Sequence, residues 1–182
     1  MFKINFRITT KTSDLLNLSD KEISEGAHVE GFFQFKVNDK EYGYFKEGIL
    51  EEGEEGFDLI TTWFEGLLTT LIALKNGNSY VVLSDIESYK IWMEFKSLKS
   101  GMINISLIEA EMKDGSKQVE TKPPENIAYN NWKDEIVSYN EIYTEIIRKA
   151  EEYLASIREI NAKLADGPRM IELKKLIDNI TI

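Results

Sequence analysis

The chain has 182 residues, 42% of them hydrophobic and 30% charged, which is enough for one domain with a real core and too apolar for wholesale disorder. Its 32 acidic against 22 basic side chains give a formal charge of −10, which disfavours sequence-blind binding to nucleic acid or anionic lipid and suits a basic partner. Cysteine is absent, so disulfides, thiolate nucleophiles and zinc–thiolate sites are excluded.

No run approaches the ~18 apolar residues of a membrane span. The stretch MFKINFRITTKTSDLL has no signal-peptide core, so a cytoplasmic location is expected. Phe2, Ile4, Phe6 and Ile8 alternate with Lys3, Asn5 and Arg7, the pattern of a half-buried strand. In the polar stretch that follows, Ser19-Asp20-Lys21-Glu22 has capping-box spacing and predicts a short helical turn. Alternation returns over Val29–Val37, with Phe33, Phe35 and Val37 on one face and Gln34 and Lys36 on the other. Residues 38–41 turn the chain into a returning strand over Tyr42–Phe45.

Between positions 47 and 58 stand Glu47, Glu51, Glu52, Glu54, Glu55 and Asp58, with no lysine or arginine among them. Ile49 and Leu50 are expected to anchor the middle of this segment. A central helix is predicted over about 57–76, because Leu59, Ile60, Trp63, Phe64, Leu67, Leu68, Leu71 and Ile72 recur at three- and four-residue intervals. The acidic run before it suits the helix N-terminus, and Lys75-Asn76-Gly77 supplies a cation and a left-handed cap at its end.

Tyr80–Leu83 and Tyr89–Phe95 read as strands, the second with Tyr89, Ile91, Met93 and Phe95 on one side. Lys99-Ser100-Gly101 turns the chain into a further strand, Met102–Met112. Its apolar residues change parity, from Ile103, Ile105 and Leu107 to Ile108, Ala110 and Met112. That change predicts a bulge near Leu107 or a second covering layer on the far face, supplied by C-terminal helices. Trp92 lies opposite Ile91 and Met93 and is expected to be covered by the same helices.

Residues 113–130 contain Asp114-Gly115 and Pro123-Pro124 and read as a linker loop. Beyond it Trp132, Ile136, Tyr139, Tyr143, Ile146, Ala150, Tyr153, Ile157, Ile160 and Leu164 step by four and three, a helix-packing seam. Glu145–Lys149 and Glu159–Lys163 are spaced as helical ion pairs. Asp166-Gly167-Pro168 ends this helix, and Met170, Leu173, Leu176, Ile177 and Ile180 mark a shorter returning one. The seam exceeds what the return helix can cover, so the sheet or a second copy is expected to cover the rest, and a homodimer is predicted. The fold class is therefore α+β: a mostly antiparallel sheet packed by a central helix and followed by a C-terminal helical hairpin. The division is 1–112 for the α+β domain, 113–130 for the linker and 131–182 for the hairpin.

No phosphate loop, dinucleotide fingerprint, HExxH or nucleophile elbow is present, and the acidic segment lacks EF-hand spacing. The single histidine, His28, has no recognisable nucleophile or orienting carboxylate, and Glu109 and Glu111 read as exposed strand-end glutamates. No catalytic, cofactor-binding or metal-binding residue is assigned. Two alternatives to a binding module stay open: an oligomerising protein using the heptad helix, and an enzyme relying on carboxylates.

The segments GFFQFKVNDKEYGYF, LITTWFEGLLTTLIALKNG and SGMINISLIEA, with the acidic run between the first two, carry a resemblance over about residues 29–112. This part resembles small immunity proteins of bacterial polymorphic and contact-dependent toxin systems. The resemblance implies a cytoplasmic protein that binds and blocks a toxin enzyme, often by placing acidic residues against a basic nucleic-acid-binding cleft. It transfers no individual residue. Charge density, taken separately, makes Glu47, Glu51, Glu52, Glu54, Glu55 and Asp58 the candidate partner-binding residues, because concentrated like charge steers an oppositely charged protein.

Overall fold

A computed structural model describes residues 1–51, 54–88, 90–111, 115–129 and 132–181. In chain order the elements are strand β1 (Phe2–Ile8), helices α1 (Thr12–Leu16) and α2 (Asp20–Ser24), strands β2 (Glu30–Val37), β3 (Lys40–Gly43) and β4 (Asp58–Leu59), and helix α3 (Ile60–Lys75). Strands β5 (Tyr80–Ser84), β6 (Ile91–Ser97) and β7 (Met102–Glu109) follow, then the short strands β8 (Val119–Glu120), β9 (Ala128–Tyr129) and β10 (Glu135–Ser138). The chain ends in helices α4 (Tyr139–Ile160), α5 (Ala162–Ala165) and α6 (Pro168–Thr181). The fold is α+β with antiparallel pairing between the described strands, and a helical region closes the chain.

The strands form two sheets. The first runs β1-β2-β3, with β4 also on β2, and the second runs β10-β7-β6-β5-β8, with β9 on β7. Helix α3 packs against both. Trp63 stacks on Phe33 at 5.6 Å, and Phe64 meets Phe33 edge-on at 5.2 Å. On the other side Gly66 sits so close to β5 that a Cβ there would lie 2.6 Å from the Leu83 side chain. A helix with sheets on two sides must be apolar over more than one stripe, which is why Leu67, Leu68 and Leu71 are all fully buried.

The acids expected at the start of α3 are not in its first turn, and its N-cap residue Leu59 makes no side-chain cap. The helix end follows the pattern, with Lys75 in the last turn and Gly77 at φ 87°. At α2 the expected capping box is complete, Ser19 Oγ accepting from Glu22 N and Glu22 returning the bond to Ser19 N.

The long helix is shorter than its seam suggested. It begins at Tyr139, where Ser138 Oγ accepts from Glu141 N, so Trp132 precedes β10 and Ile136 lies within it. The S-x-x-E spacing of Ser138 and Glu141 marked that start. Ile146, Ala150, Tyr153 and Ile157 are buried within the chain, where α4 packs on β1, α3 and α6. Those four seam residues find their cover within the chain, whereas Tyr139, Tyr143 and Ile160 are half-buried and Ile136 is exposed.

Helix α4 also protects an exposed sheet edge. The Phe2 and Ile4 amides face away from β2, and they donate to the carboxylates of Glu141 (2.9 Å) and Glu145 (3.0 Å). Glu145 also pairs with Arg148 at 2.7 Å, and Lys163 pairs with Asp20. In place of the anticipated Glu145–Lys149 and Glu159–Lys163 pairs, Glu145 serves Ile4 and Arg148, Lys149 pairs with Glu152, and Lys163 reaches Asp20.

The parity change in β7 has the second of its two proposed causes. Pairing with β6 runs without a break from Ile91↔Glu109 to Ser97↔Ile103, so no bulge interrupts it. Ile108 and Ala110 instead join Val82 and Trp92 in a small apolar layer on the far face of the second sheet, with Tyr80 and Ile127 packed against it. The cover comes from the 115–127 segment, not from the C-terminal helices: Trp92 is 2% exposed, and its indole N–H donates to Ala110 O. The stretch read as a linker loop thus supplies β8, β9 and a lid over this layer. Tyr89, Met112, Lys113, Asp114, Asn130 and Asn131, which figured in the sequence reading, lie outside the described residues.

Candidate functional site

The acidic segment forms a loop between β3 and β4, which both pair with β2 at different points along its length. Where β3 ends, Tyr44 N donates to Phe33 O at 3.1 Å. Where β4 begins, the carboxylate of Asp58 takes the place of a missing strand, accepting from Phe33 N at 3.3 Å and from the Trp63 indole at 3.0 Å. Both loop ends are therefore tied to one strand, the arrangement of an Ω-loop.

The loop folds over the outer face of the first sheet. Arg7, on β1, donates from Nη1 to the carbonyls of Lys46 (3.0 Å) and Gly48 (2.7 Å). Lys46 pairs with Glu54, whose carboxylate also accepts from Glu51 N at 2.9 Å. The Glu51 amide, with the Lys46 ammonium behind it, holds the Glu54 carboxyl below its usual range. Close to β4, Gly56 approaches so near the Gly31 carbonyl that a Cβ would lie 2.3 Å away. Thr9 Oγ1 and Gly56 exchange hydrogen bonds across the same gap.

The six candidate carboxylates therefore divide. Asp58 and Glu54 hold the loop in place, and burial pushes the Asp58 carboxyl up despite its two donors. Glu47, Glu51 and Glu55 are exposed, and no side-chain hydrogen bond or ion pair with another described residue involves them. Glu52 lies outside the described residues.

Sequence reasoning missed the apolar part of this surface. Ile49 does not anchor the loop; it is 91% exposed. Phe57, read as the first residue of the helix, is 65% exposed, and Tyr44 is 56% exposed. Carbonyl anchoring by Arg7 fixes the loop through its backbone, which frees these side chains. Nothing in the local pattern announces that, since an apolar residue in an acidic run reads as an anchor.

A second group of acids gathers at the foot of the loop. Tyr42 donates to Asp85, and Asp85 also accepts from Glu87 N at 2.9 Å. Burial, with the charges of Asp58, Asp85 and Glu30 added, raises the Glu87 carboxyl, while burial and the bond to Asp85 raise the Tyr42 phenol. These groups come from β2, β3, β4 and the β5–β6 turn, so their meeting had no local signature.

Elsewhere His28 is exposed, and its Nδ1 accepts from Arg169 at 2.7 Å, while the same guanidinium grips Glu65 at 3.1 and 3.2 Å. Arginine only donates, so this contact orients the ring without giving it a base or a nucleophile. Glu109 and Glu111 are both exposed. Glu94 is 1% exposed; it pairs with the Lys96 ammonium at 2.8 Å and accepts from the Tyr80 phenol at 2.9 Å. Among the described residues no group of three or more His, Asp or Glu side chains is placed to hold a metal ion, and no helix is long and apolar enough to cross a membrane.

The fold and the loop define a class: an α+β domain of two antiparallel sheets around a shared helix, presenting a tied-down acidic loop. The chain matches no protein-family model, no curated protein and no solved structure.

Proposed function

We propose that this chain is a non-catalytic protein-binding module of the immunity type, acting in the cytoplasm, which blocks a toxin by setting Glu47, Glu51 and Glu55 against its basic surface. One observation carries the reading. Glu47, Glu51 and Glu55 face solvent on a loop whose backbone is held by Arg7, the Lys46–Glu54 pair and Asp58. A loop that concentrates like charge but is tied down spends little ordering entropy on binding, and its field speeds encounter with a cationic partner. The chain's net charge of −10 acts in the same direction. The resemblance over residues 29–112 supplies the kind of partner, a toxin domain with a basic active face.

The test is co-expression with a basic toxin domain encoded beside this chain's gene. Wild type restores growth. The triple variant Glu47→Gln, Glu51→Gln, Glu55→Gln folds normally but associates at least ~10-fold more slowly at low salt, a difference that fades as salt rises. Failure of wild type to protect, or an unchanged association rate in the triple variant, refutes the reading.

A further inference from the structure

We propose that Tyr44, Ile49 and Phe57 form the apolar centre of this docking surface, shaped to receive an apolar patch on a partner protein that is bordered by lysine or arginine side chains. The proposal rests on the reading above, since it concerns the same loop, and it adds what the partner must present.

Exposed apolar side chains are ordinary when scattered, and Leu16, Leu98, Ile136 and Ile171 are scattered in this way on separate elements. The three on the loop are different because they surround one cross-strand pair, Arg7 opposite Phe32 in the β1–β2 register. Tyr44 meets the Phe32 ring edge-on at 5.1 Å. Phe57 follows Gly56, where a Cβ would lie 2.6 Å from Phe32 Cδ1. Ile49 follows Gly48, whose carbonyl receives the Arg7 guanidinium at 2.7 Å. The three side chains, 56%, 91% and 65% exposed, thus stand on one loop whose backbone is fastened at this pair.

Glu47, Glu51 and Glu55 belong to the same short loop, and that decides the chemistry of the occupant. An apolar surface alone fits many partners, but one carrying three solvent-facing carboxylates excludes an acidic partner and favours a cationic border. The apolar centre then governs residence time and the carboxylates govern encounter, the usual division between an interface core and its rim.

Two synthetic amphipathic helical peptides with the same lysine content test this, one with leucine along its apolar face and one with serine at each leucine position. Each is titrated into wild type, Ile49→Ser/Phe57→Ser and Glu47→Gln/Glu51→Gln/Glu55→Gln, with the Ile49 methyl resonance as the reporter of location in the proteins that retain it. Both substituted positions are exposed, so near-UV circular dichroism and melting match wild type. The leucine peptide is expected to bind wild type at least ~10-fold tighter than the serine peptide and to shift the Ile49 methyl. The double-serine variant removes that advantage, and the triple-glutamine variant weakens both peptides while keeping it. Equal binding of the two peptides, insensitivity of the leucine peptide to the double-serine change, or no binding by either peptide overturns the proposal. Equal binding that still weakens with glutamine leaves the charge reading standing alone. Peptide binding that the glutamine changes leave unweakened sinks the charge reading instead.

Discussion

Truncating Phe64 to alanine removes the ring on which three separately anchored elements meet. The side chain is fully buried, 5.4 Å from Phe6 on β1, 5.2 Å from Phe33 on β2 and 5.4 Å from Tyr153 on α4. Each neighbour is held without the Phe64 ring: Phe6 and Phe33 are register partners across β1 and β2, and Tyr153 shares a 2.6 Å hydrogen bond with Thr61 of α3. The cavity therefore collapses poorly, which puts the loss at the upper part of the roughly 3–5 kcal/mol seen for large-to-small core changes. Against a total stability of about 5–15 kcal/mol this is a large fraction. At about 2–4 °C per kcal/mol for a chain of this size, melting falls by roughly 8–20 °C. Urea unfolding followed by tryptophan fluorescence measures it, with an unchanged m-value confirming that the folded state keeps its extent. Phe57→Ala is the internal control, since its ring is 65% exposed and a change within about 0.5 kcal/mol is expected. A loss below about 1 kcal/mol at Phe64 would show that the three elements do not depend on this junction.

Leu67→Asp places an unpaired carboxylate in a fully buried position between the two sheets and abolishes cooperative unfolding; near-wild-type melting would show that α3 is not the shared core. Glu145→Ala removes the acceptor for the Ile4 amide and costs about 1–3 kcal/mol, seen as faster hydrogen exchange at Ile4, while Glu145→Gln keeps an acceptor and recovers most of it. The acids at the foot of the loop give a pH dependence of fixed sign. The Glu87 carboxyl is raised in the folded state, so its contribution is fully present below the unfolded carboxylate range and is lost as pH rises through the raised value. Glu87→Gln therefore raises the melting temperature at pH 7, with the gain vanishing near pH 4; an equal gain at both pH values would rule out titration as the cause.

Much of the fold was legible in local pattern. Alternation located β1, β2 and β6, the three-and-four spacing located α3 and α6, and Ser19 with Glu22 marked α2, because each signal is set by geometry within a few residues. The errors share a cause. Trp132 and Ile136 continue the spacing of the α4 seam by coincidence of composition, and only the Ser138 cap fixes where the helix starts. Trp92 has the pattern of a residue needing cover, yet the pattern is silent on whether a helix or the 115–127 segment supplies it.

The candidate site shows the same division. Sequence alone determined that residues 47–58 concentrate six acids with no lysine or arginine among them. Tertiary structure decided which acids are structural, assigning Asp58 to Phe33 and Trp63 and Glu54 to Lys46, and leaving Glu47, Glu51 and Glu55 to solvent. It also decided that Ile49 and Phe57 face outward. The reason is physical: hydrophobicity records what burial would gain, but a loop held by its backbone carbonyls on Arg7 needs no buried side chain of its own.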